Sequence, residues 1–151
     1  MREPSYTGAS KLRLDERGRL AVPKSFRHML SGEAEFILTA HPHGCLAIYG
    51  AARFADIREQ MGGRGNLSYF DSHLEELVLG SAEALQLDSA ERFLIGAHLR
   101  NHAGIGRDIR LFNLPDSVRL WSEERWTQKH ALLTARLQDA ELSETWQTLR
   151  L

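Results

Sequence analysis

The sequence predicts an α+β fold, rich in β-strands, that is built from two copies of one small unit. Two observations lead to this prediction. When Asp15 is aligned with Asp88, apolar residues fall on apolar residues at almost every matched position. Within each copy, short segments alternate polar and apolar residues as half-buried strands do, and turn residues separate them. Because a unit of about 70 residues is only marginally stable alone, we expect the copies to share a core or to form an oligomer.

The repeat is supported by many matches that occur in the same order in both copies. The pattern Asp-x-x-x-Arg occupies residues 15–19 and recurs at residues 88–92. The other matched pairs are Leu12 and Leu85, Leu14 and Leu87, Leu20 and Phe93, Val22 and Ile95, Phe26 and Leu99, Arg27 and Arg100, Phe36 and Ile109, Leu38 and Leu111, and, after one residue of slippage, Leu46 and Val118, Ile48 and Leu120, Tyr49 and Trp121, Arg53 and Arg125, and Phe54 and Trp126. A duplication therefore explains the sequence best.

Each copy predicts four strands, a short helix and a following longer helix. The strands are expected at 11–14, 19–22, 35–39 and 45–49, and at 83–87, 92–95, 108–112 and 117–121. The first two strands form a predicted hairpin around the turn 15–18. Helices are expected at about 23–30, 51–61, 67–79, 96–103 and 123–138. We therefore divide the chain into a first unit at 8–54, a linker and connecting helix at 55–80, a second unit at 81–126 and a C-terminal helical segment at 127–151.

Bulk composition limits the possible functions without selecting one. The formal net charge is -1, so the overall charge does not favour nucleic-acid binding. A single cysteine, Cys45, rules out an intrachain disulfide and fits a reducing cytoplasm. No signal peptide and no stretch long and apolar enough to cross a bilayer is visible. We expect a cytoplasmic protein that does not associate with membranes.

The distribution of charge distinguishes the two copies. Residues 11–28 carry six basic side chains against two acidic ones, whereas the matching stretch 84–101 carries two of each. The basic residues are Lys11, Arg13, Arg17, Arg19, Lys24 and Arg27. Strand alternation predicts that Lys11, Arg13 and Arg19 point away from the core on one face of a two-stranded ribbon, and such a ribbon fits the major groove of DNA.

Two structural alternatives for these residues stay open. The basic face of the hairpin can be an ordinary solvated surface. The arginine of each Asp-x-x-x-Arg pattern can brace its turn by pairing with the aspartate, which applies to Arg19 with Asp15 and to Arg92 with Asp88. In the first turn, Gly18 supplies the positive φ angle that the turn needs.

The motifs resemble those of the MraZ family over nearly the whole chain. Gly-Ala-Ser at 8–10 and Leu-Asp-Glu-Arg-Gly-Arg-Leu-Ala-Val-Pro at 14–23 are similar to that family's N-terminal signature. The second Asp-x-x-x-Arg, with Leu-Arg-Asn-His-Ala-Gly at 99–104, resembles its second half. The chain departs from the pattern at Glu91, where the family has a glycine, and at Gly96, where it has a proline.

The resemblance implies a fold, an assembly and a function. The fold is two tandem swapped-hairpin units of the SpoVT-AbrB type, which form one pseudo-symmetric body with peripheral helices. The assembly is a ring-shaped homo-oligomer. The function is that of a nucleoid-associated transcriptional regulator, usually a repressor, which binds short direct repeats before the division and cell-wall gene cluster that begins with its own gene. The residues expected to contact double-stranded DNA are Arg17 and Arg19, with Lys11, Arg13 and Lys24 beside them, while Arg92 and Asp88 form either a second contact or a turn brace.

Other classes of function find less support in the sequence. A metal site would have to use His41, His43 and Cys45, or the pair His98 and His102, and neither group has the full ligand set of a zinc site. The sequence has no nucleophile elbow, phosphate-binding loop or dinucleotide fingerprint, so we expect no enzyme and no cofactor. An interaction scaffold of the AbrB type without specific DNA binding is a further class. The apolar residues available for its partner surface are Trp121, Trp126, Trp146, Leu132, Leu133 and Leu137, for which we favour a place in the core or in the ring interface.

Overall fold

The computed structural model describes residues 7–24, 26, 35–65 and 68–150, and it confirms the α+β class. The strands are β1 (Gly8–Arg13), β2 (Arg19–Ala21), β3 (Phe36–His41), β4 (Cys45–Gly50), β5 (Glu83–Ala84), β6 (Arg92–Leu94), β7 (Asp108–Asn113) and β8 (Val118–Ser122). The helices are α1 (Ala51–Met61), α2 (Tyr69–Gly80), α3 (Ala97–Ala103), α4 (Glu123–Arg136) and the short α5 (Glu144–Gln147), with a 3-10 turn at Leu137–Asp139. Most of the helix predicted at 23–30 lies outside the described residues. No helix in the described part of the chain is long and apolar enough to span a membrane.

The strands form two antiparallel sheets in which the copies are interleaved. The large sheet has the order β1-β7-β8-β4-β3-β5, and β2 pairs with β6 in a two-stranded ribbon. In the repeat, β1 matches β5, β3 matches β7 and β4 matches β8, so the order of the large sheet is the same when read from either end. The interleaved pairing therefore gives the chain a pseudo-twofold axis.

The strand register locates this axis. In the ribbon, Leu20 lies opposite Phe93, and these two residues match in the repeat. Two equivalent hydrogen bonds extend the ribbon at its ends, from Val22 N to Glu91 O at 3.0 Å and from Ile95 N to Gly18 O at 2.9 Å. At the centre of the large sheet, Ala47 of β4 lies opposite Arg119 of β8, its match in the repeat. The pairs on either side, Leu46 with Leu120 and Ile48 with Val118, are equivalent to each other in the repeat. The axis therefore passes through the middle of both sheets.

The predicted pairing of the first two strands with each other is wrong. The turn after β1 is closed by hydrogen bonds from Asp15 N to Arg19 O and from Gly18 N to Asp15 O. Beyond the turn the two strands separate, β1 to the edge of the large sheet and β2 to the ribbon with β6. Alternation determines which face of a strand is buried, but not which strand pairs with it. Pairing across the copies buries the matched apolar residues against each other.

The core lies between the ribbon and one face of the large sheet. It contains residues from both copies that are almost completely buried, among them Leu14, Leu20, Phe26, Leu38, Leu46, Ile48, Phe93, Ile95, Leu99, Ile109, Leu111 and Leu120. Burial of each such side chain contributes roughly 1.5–3 kcal/mol to folding. Helices α1, α2 and α4 pack against the other face of the sheet. The outer face of the ribbon therefore carries no helix from the described part of the chain.

Candidate nucleic-acid interface

The outer face of the ribbon carries two arginines from the two copies. Because Leu20 and Phe93 point into the core, their neighbours on each strand point outward. Arg19 lies opposite Leu94 across the ribbon, and Ala21 lies opposite Arg92. The outer face thus presents two arginines at diagonal positions together with two apolar side chains, of which Leu94 is 58% exposed.

Each arginine is held by the aspartate of its own Asp-x-x-x-Arg pattern. Asp15 Oδ1 accepts hydrogen bonds from the backbone N–H groups of Arg17 and Arg19, each at 2.9 Å, and its Oδ2 accepts one from Arg19 Nε at 2.8 Å. In the second copy, Asp88 accepts the equivalent bonds from the backbone of residues 90 and 92 and from Arg92 Nε at 3.0 Å. The four-residue spacing lets one carboxylate close the turn and orient the guanidinium.

The two turns also contact each other across the pseudo-twofold axis. Arg19 Nη1 lies 3.8 Å from Asp88 Oδ2, and Arg92 Nη1 lies 3.7 Å from Asp15 Oδ2. The four side chains, which we call the ribbon ion cluster, are each 27–33% exposed. A guanidinium has five N–H donors, so pairing with the aspartates leaves donors for another acceptor. Arg19 and Arg92 therefore each make the contact with their own aspartate that the turn-brace alternative requires.

Hydrogen bonds keep both aspartates of the cluster ionised. The backbone N–H of Arg19 is the main cause that lowers the pKa of Asp15 below its usual value, and the Arg19 side chain adds to it. The backbone N–H of Arg92 lowers the pKa of Asp88 in the same way. At neutral pH the cluster therefore contains two cations and two anions.

The first turn requires a glycine that the second turn lacks. Gly18 has φ +80, and a Cβ at this position would lie 3.1 Å from Arg100 Nη1. The equivalent residue of the second copy, Glu91, adopts φ 59, a conformation that is unfavourable for residues other than glycine. The absence of a side chain at Gly18 makes room for the half-buried Arg100 of α3 directly beneath the turn.

Arg100 is a residue at this surface that the sequence reasoning did not select. Its guanidinium contacts the turn at Gly18, and its Nε is buried without a hydrogen-bond partner in the described part of the chain. The signal available in the sequence was the match of Arg27 with Arg100 in the repeat. Arg100 adds a positive charge beneath the turn that carries Arg17 and Arg19.

The remaining predicted DNA-binding residues lie in different places. Arg17 is exposed at the tip of the first turn, and Lys24 is exposed just after Pro23. Lys11 and Arg13 lie on β1 in the large sheet, where Lys11 approaches Glu123 at 3.8 Å and Arg13 approaches Asp108 at 3.7 Å. The expectation that Lys11, Arg13 and Arg19 share one ribbon face is wrong, because β1 and β2 belong to different sheets.

The histidines and the cysteine proposed as metal ligands do not form a common site. Cys45 is completely buried, and this burial raises the pKa of its thiol to about 11. Burial also lowers the pKa of His41 to about 4. His102 Nε2 contacts the backbone oxygen of His41 at 2.9 Å, and His98 pairs with Glu83. Among the residues that the structure describes, no group of three His, Cys, Asp or Glu is arranged to hold a metal ion.

Comparisons with known proteins agree with the two-copy architecture. The family model described as "MraZ protein", of antitoxin-like type, matches residues 6–68 and 78–148. The unmatched interval lies within α2, the helix that connects the two copies. The chain is 36% identical to the transcriptional regulator MraZ of Methylobacillus flagellatus over 80% of its own length and 83% of the relative's. It is 34% identical to the protein of the same name from Dechloromonas aromatica, with 84% and 87% covered, and 33% identical to that from Pectobacterium carotovorum, with 82% and 84% covered.

Proposed function

The chain belongs to the MraZ family, and on that premise we propose that it is a DNA-binding transcriptional regulator that reads DNA with its β2–β6 ribbon and the adjoining first turn. The relatives named above are transcriptional regulators and not enzymes. The observation that carries the proposal is the pair of oriented arginines on a ribbon face that no helix of the described chain covers. The cytoplasm, on the nucleoid, is the location that fits this function.

The geometry of the ribbon supports direct contact with DNA. A two-stranded antiparallel ribbon is narrow enough to enter the major groove, where arginine donors pair with guanine O6 and N7. Asp15 and Asp88 hold the guanidiniums in place before binding, which reduces the side-chain entropy lost on contact. Ala21 and Leu94, between the arginines, are apolar groups of the kind that contact thymine methyls.

The first copy is the more favourable half of this surface. Its turn carries Arg17 at the tip and Arg100 beneath, and Lys24 follows. In the second copy, an acidic residue, Glu91, precedes Arg92 directly. We therefore assign phosphate and base contacts mainly to Arg17 and Arg19, with Lys24 as a neighbour, and only a secondary contact to Arg92. Lys11 and Arg13 stay in the proposal as more distant phosphate contacts from β1.

The internal ion pairs and the low net charge imply that one subunit binds DNA weakly. A ring-shaped homo-oligomer that faces several short direct repeats would make later contacts intramolecular and add roughly 10²–10⁴ in avidity. We propose this assembly, with the control region of the division and cell-wall gene cluster that begins with its own gene as the target and repression as the effect. Binding by many subunits also predicts a steep salt dependence, since each neutralised phosphate releases counterions.

A DNA-binding titration with the region upstream of its own gene tests the proposal. Arg17→Ala removes an exposed guanidinium that has no ion-pair partner in the described chain, so it leaves the ribbon ion cluster intact. We expect it to weaken binding about tenfold or more, as loss of a charge-assisted contact does. Arg136→Ala, which removes an exposed arginine at the end of α4, is the matched control and is expected to bind like wild type.

A second variant separates the two roles of Arg19. Arg19→Lys keeps a positive charge but loses the bidentate fork that a guanidinium presents to guanine, so we expect reduced preference for the specific sequence and an unchanged oligomer by light scattering. If both Arg17→Ala and Arg19→Lys bind the specific DNA as tightly and as selectively as wild type, the ribbon is not the DNA-binding site. Equal affinity of the wild type for specific and random DNA would instead favour a scaffold without specific DNA binding.

A further inference from the structure

The outer face of the large sheet contains a second basic cluster, remote from the ribbon. Arg119 lies on β8 between Ala47 of β4 and Phe112 of β7. Trp121, two residues further along β8, shares its face, and α4 crosses above with Trp126 and Lys129. Because the opposite face of this sheet packs into the core beneath the ribbon, a ligand here would not compete with DNA.

These residues surround a small open pocket. It has a volume of about 150 Å³ and is lined by Phe112, Leu114, Arg119, Trp121, Trp126 and Lys129. Lys129 Nζ lies 4.0 Å from the centre of the Trp121 ring. The lining therefore combines three aromatic rings with two cationic groups, and it contains no acidic side chain.

The two cations of the pocket lack counterions, in contrast to a neighbouring arginine on the same face. Arg110 lies 3.9 Å above the Trp126 ring and is neutralised by two hydrogen bonds to Glu123. No carboxylate in the described part of the chain pairs with Arg119 or Lys129, and Arg119 Nε is buried without a hydrogen-bond partner. Two nearby cations that are partly removed from water favour the binding of an anion.

Electrostatic effects on nearby groups agree with this excess of positive charge. Burial lowers the pKa of Lys129, and repulsion by Arg119 lowers it further. His41, whose pKa is lowered to about 4, is neutral at physiological pH, and Arg119 is among the causes. Cys45 is also neutral, since its pKa is raised. His41 and Cys45, which both interact with the charge of Arg119, therefore supply no negative charge. Asp116, an acidic group that acts on Tyr49 together with Arg119, pairs instead with Arg53 at 3.9 Å.

We propose that this pocket binds a small carboxylate that is carried on a flat apolar ring. A carboxylate matches the planar donor edge of a guanidinium. Arg110 and His130 already cover the Trp126 ring, so the apolar surface left for a ring is that of Phe112, Leu114 and the ring edges. The pocket volume limits the ligand to about the size of one substituted ring. Inorganic phosphate lacks such a ring and would contact the cations alone, so we expect it to bind more weakly.

Titration of the full-length protein with benzoate at constant ionic strength tests this assignment. Benzoate should bind saturably and change the fluorescence of Trp121 and Trp126, while its neutral analogue benzamide and inorganic phosphate should bind at least tenfold more weakly. Lys129→Gln should weaken benzoate binding about tenfold, the usual effect of losing one charged hydrogen bond. Arg136→Gln, on the same helix but outside the pocket, should bind benzoate like wild type.

A second variant tests the arginine of the pocket. Arg119→Gln should nearly abolish benzoate binding, but Arg119 lies in a central strand of the sheet. If circular dichroism shows that Arg119→Gln is misfolded, the conclusion rests on Lys129→Gln. Absence of saturable binding, equal binding of benzamide or phosphate, or wild-type affinity of Lys129→Gln would overturn the proposal. Dissociation of the oligomer by benzoate, seen by light scattering, would also overturn it, because a neighbouring subunit would then supply the pocket's anion.

Discussion

Substitution of Gly18 by alanine is the most direct test of the turn geometry beneath the candidate interface. Gly18 has φ +80, and a left-handed conformation costs a residue with a Cβ roughly 1–2 kcal/mol. The new methyl group would also lie 3.1 Å from Arg100 Nη1. The end of the flexible Arg100 side chain can move away from this contact, so the contact adds little to the loss of stability. We therefore expect Gly18→Ala to lower the free energy of unfolding by about 1–2 kcal/mol.

Thermal unfolding at fixed protein concentration measures this effect. For a chain of this size, each kcal/mol corresponds to a fall in Tm of about 2–4 °C. Gly106→Ala is the matched control, because Gly106 does not have a positive φ and a methyl group added there would meet no atom within 4 Å. The stability of this control should stay within about 0.5 kcal/mol of wild type. If Gly18→Ala unfolds at the same temperature as the control, the strain and contact assigned to the turn do not exist.

Three further predictions concern the core, the ribbon ion cluster and the cysteine. Leu20→Ala should lower the free energy of unfolding, measured by chemical denaturation, by about 2–5 kcal/mol, because Leu20 is completely buried. Leu94→Ala, at an exposed position of the same ribbon, should lower it by less than about 0.5 kcal/mol. Similar losses for both variants would contradict the assignment of Leu20 to the buried face and of Leu94 to the exposed face. In the folded protein, the pKa values of Asp15 and Asp88 lie below their usual value of 3.8. The contribution of the two carboxylates to stability is therefore complete above pH 3.8, and it is lost as the pH falls through their folded-state pKa values. The double variant Asp15→Asn, Asp88→Asn should therefore lose less stability than wild type between about pH 5 and pH 2. If the free energies of unfolding of the two proteins fall in parallel over this pH range, the two carboxylates do not contribute in this way. The native Cys45 thiol should resist Ellman's reagent at pH 8 and react only after denaturation, because it is buried with a pKa of about 11; rapid reaction of the native protein would show that the site is open.

Periodicity in the sequence predicted the position of most elements but not the partners of the strands. The alternation around Leu12 and Leu20 places both segments as strands with the correct buried face. It contains no information on whether β1 pairs with β2 or with β7, since either arrangement buries the same side chains. The turn between them made the local hairpin the simpler prediction. The matched apolar positions of the repeat, and the swapped-hairpin units that the family resemblance implied, pointed instead to pairing across the copies.

The candidate site was predicted in part for the same reason. The Asp-x-x-x-Arg pattern located Arg19 and Arg92, and its spacing allowed the contact of each arginine with the aspartate of its own turn. The contacts of Arg19 with Asp88 and of Arg92 with Asp15 depend on the ribbon register, which a local pattern does not contain. Arg100 was missed because its position beneath Gly18 results from packing of α3 against a turn that is distant in sequence.

The interleaved pairing of the two copies makes this chain the covalent equivalent of a heterodimer. In a symmetric homodimer, every substitution appears at both half-sites, so the two halves must contact DNA in the same way. Here Ala21 and Leu94 occupy equivalent positions with different side chains, as do Gly18 and Glu91. Because both copies are parts of one chain, equivalent positions can carry different side chains. The two unequal halves would give the proposed DNA-binding surface a direction along DNA, which a strictly twofold protein lacks.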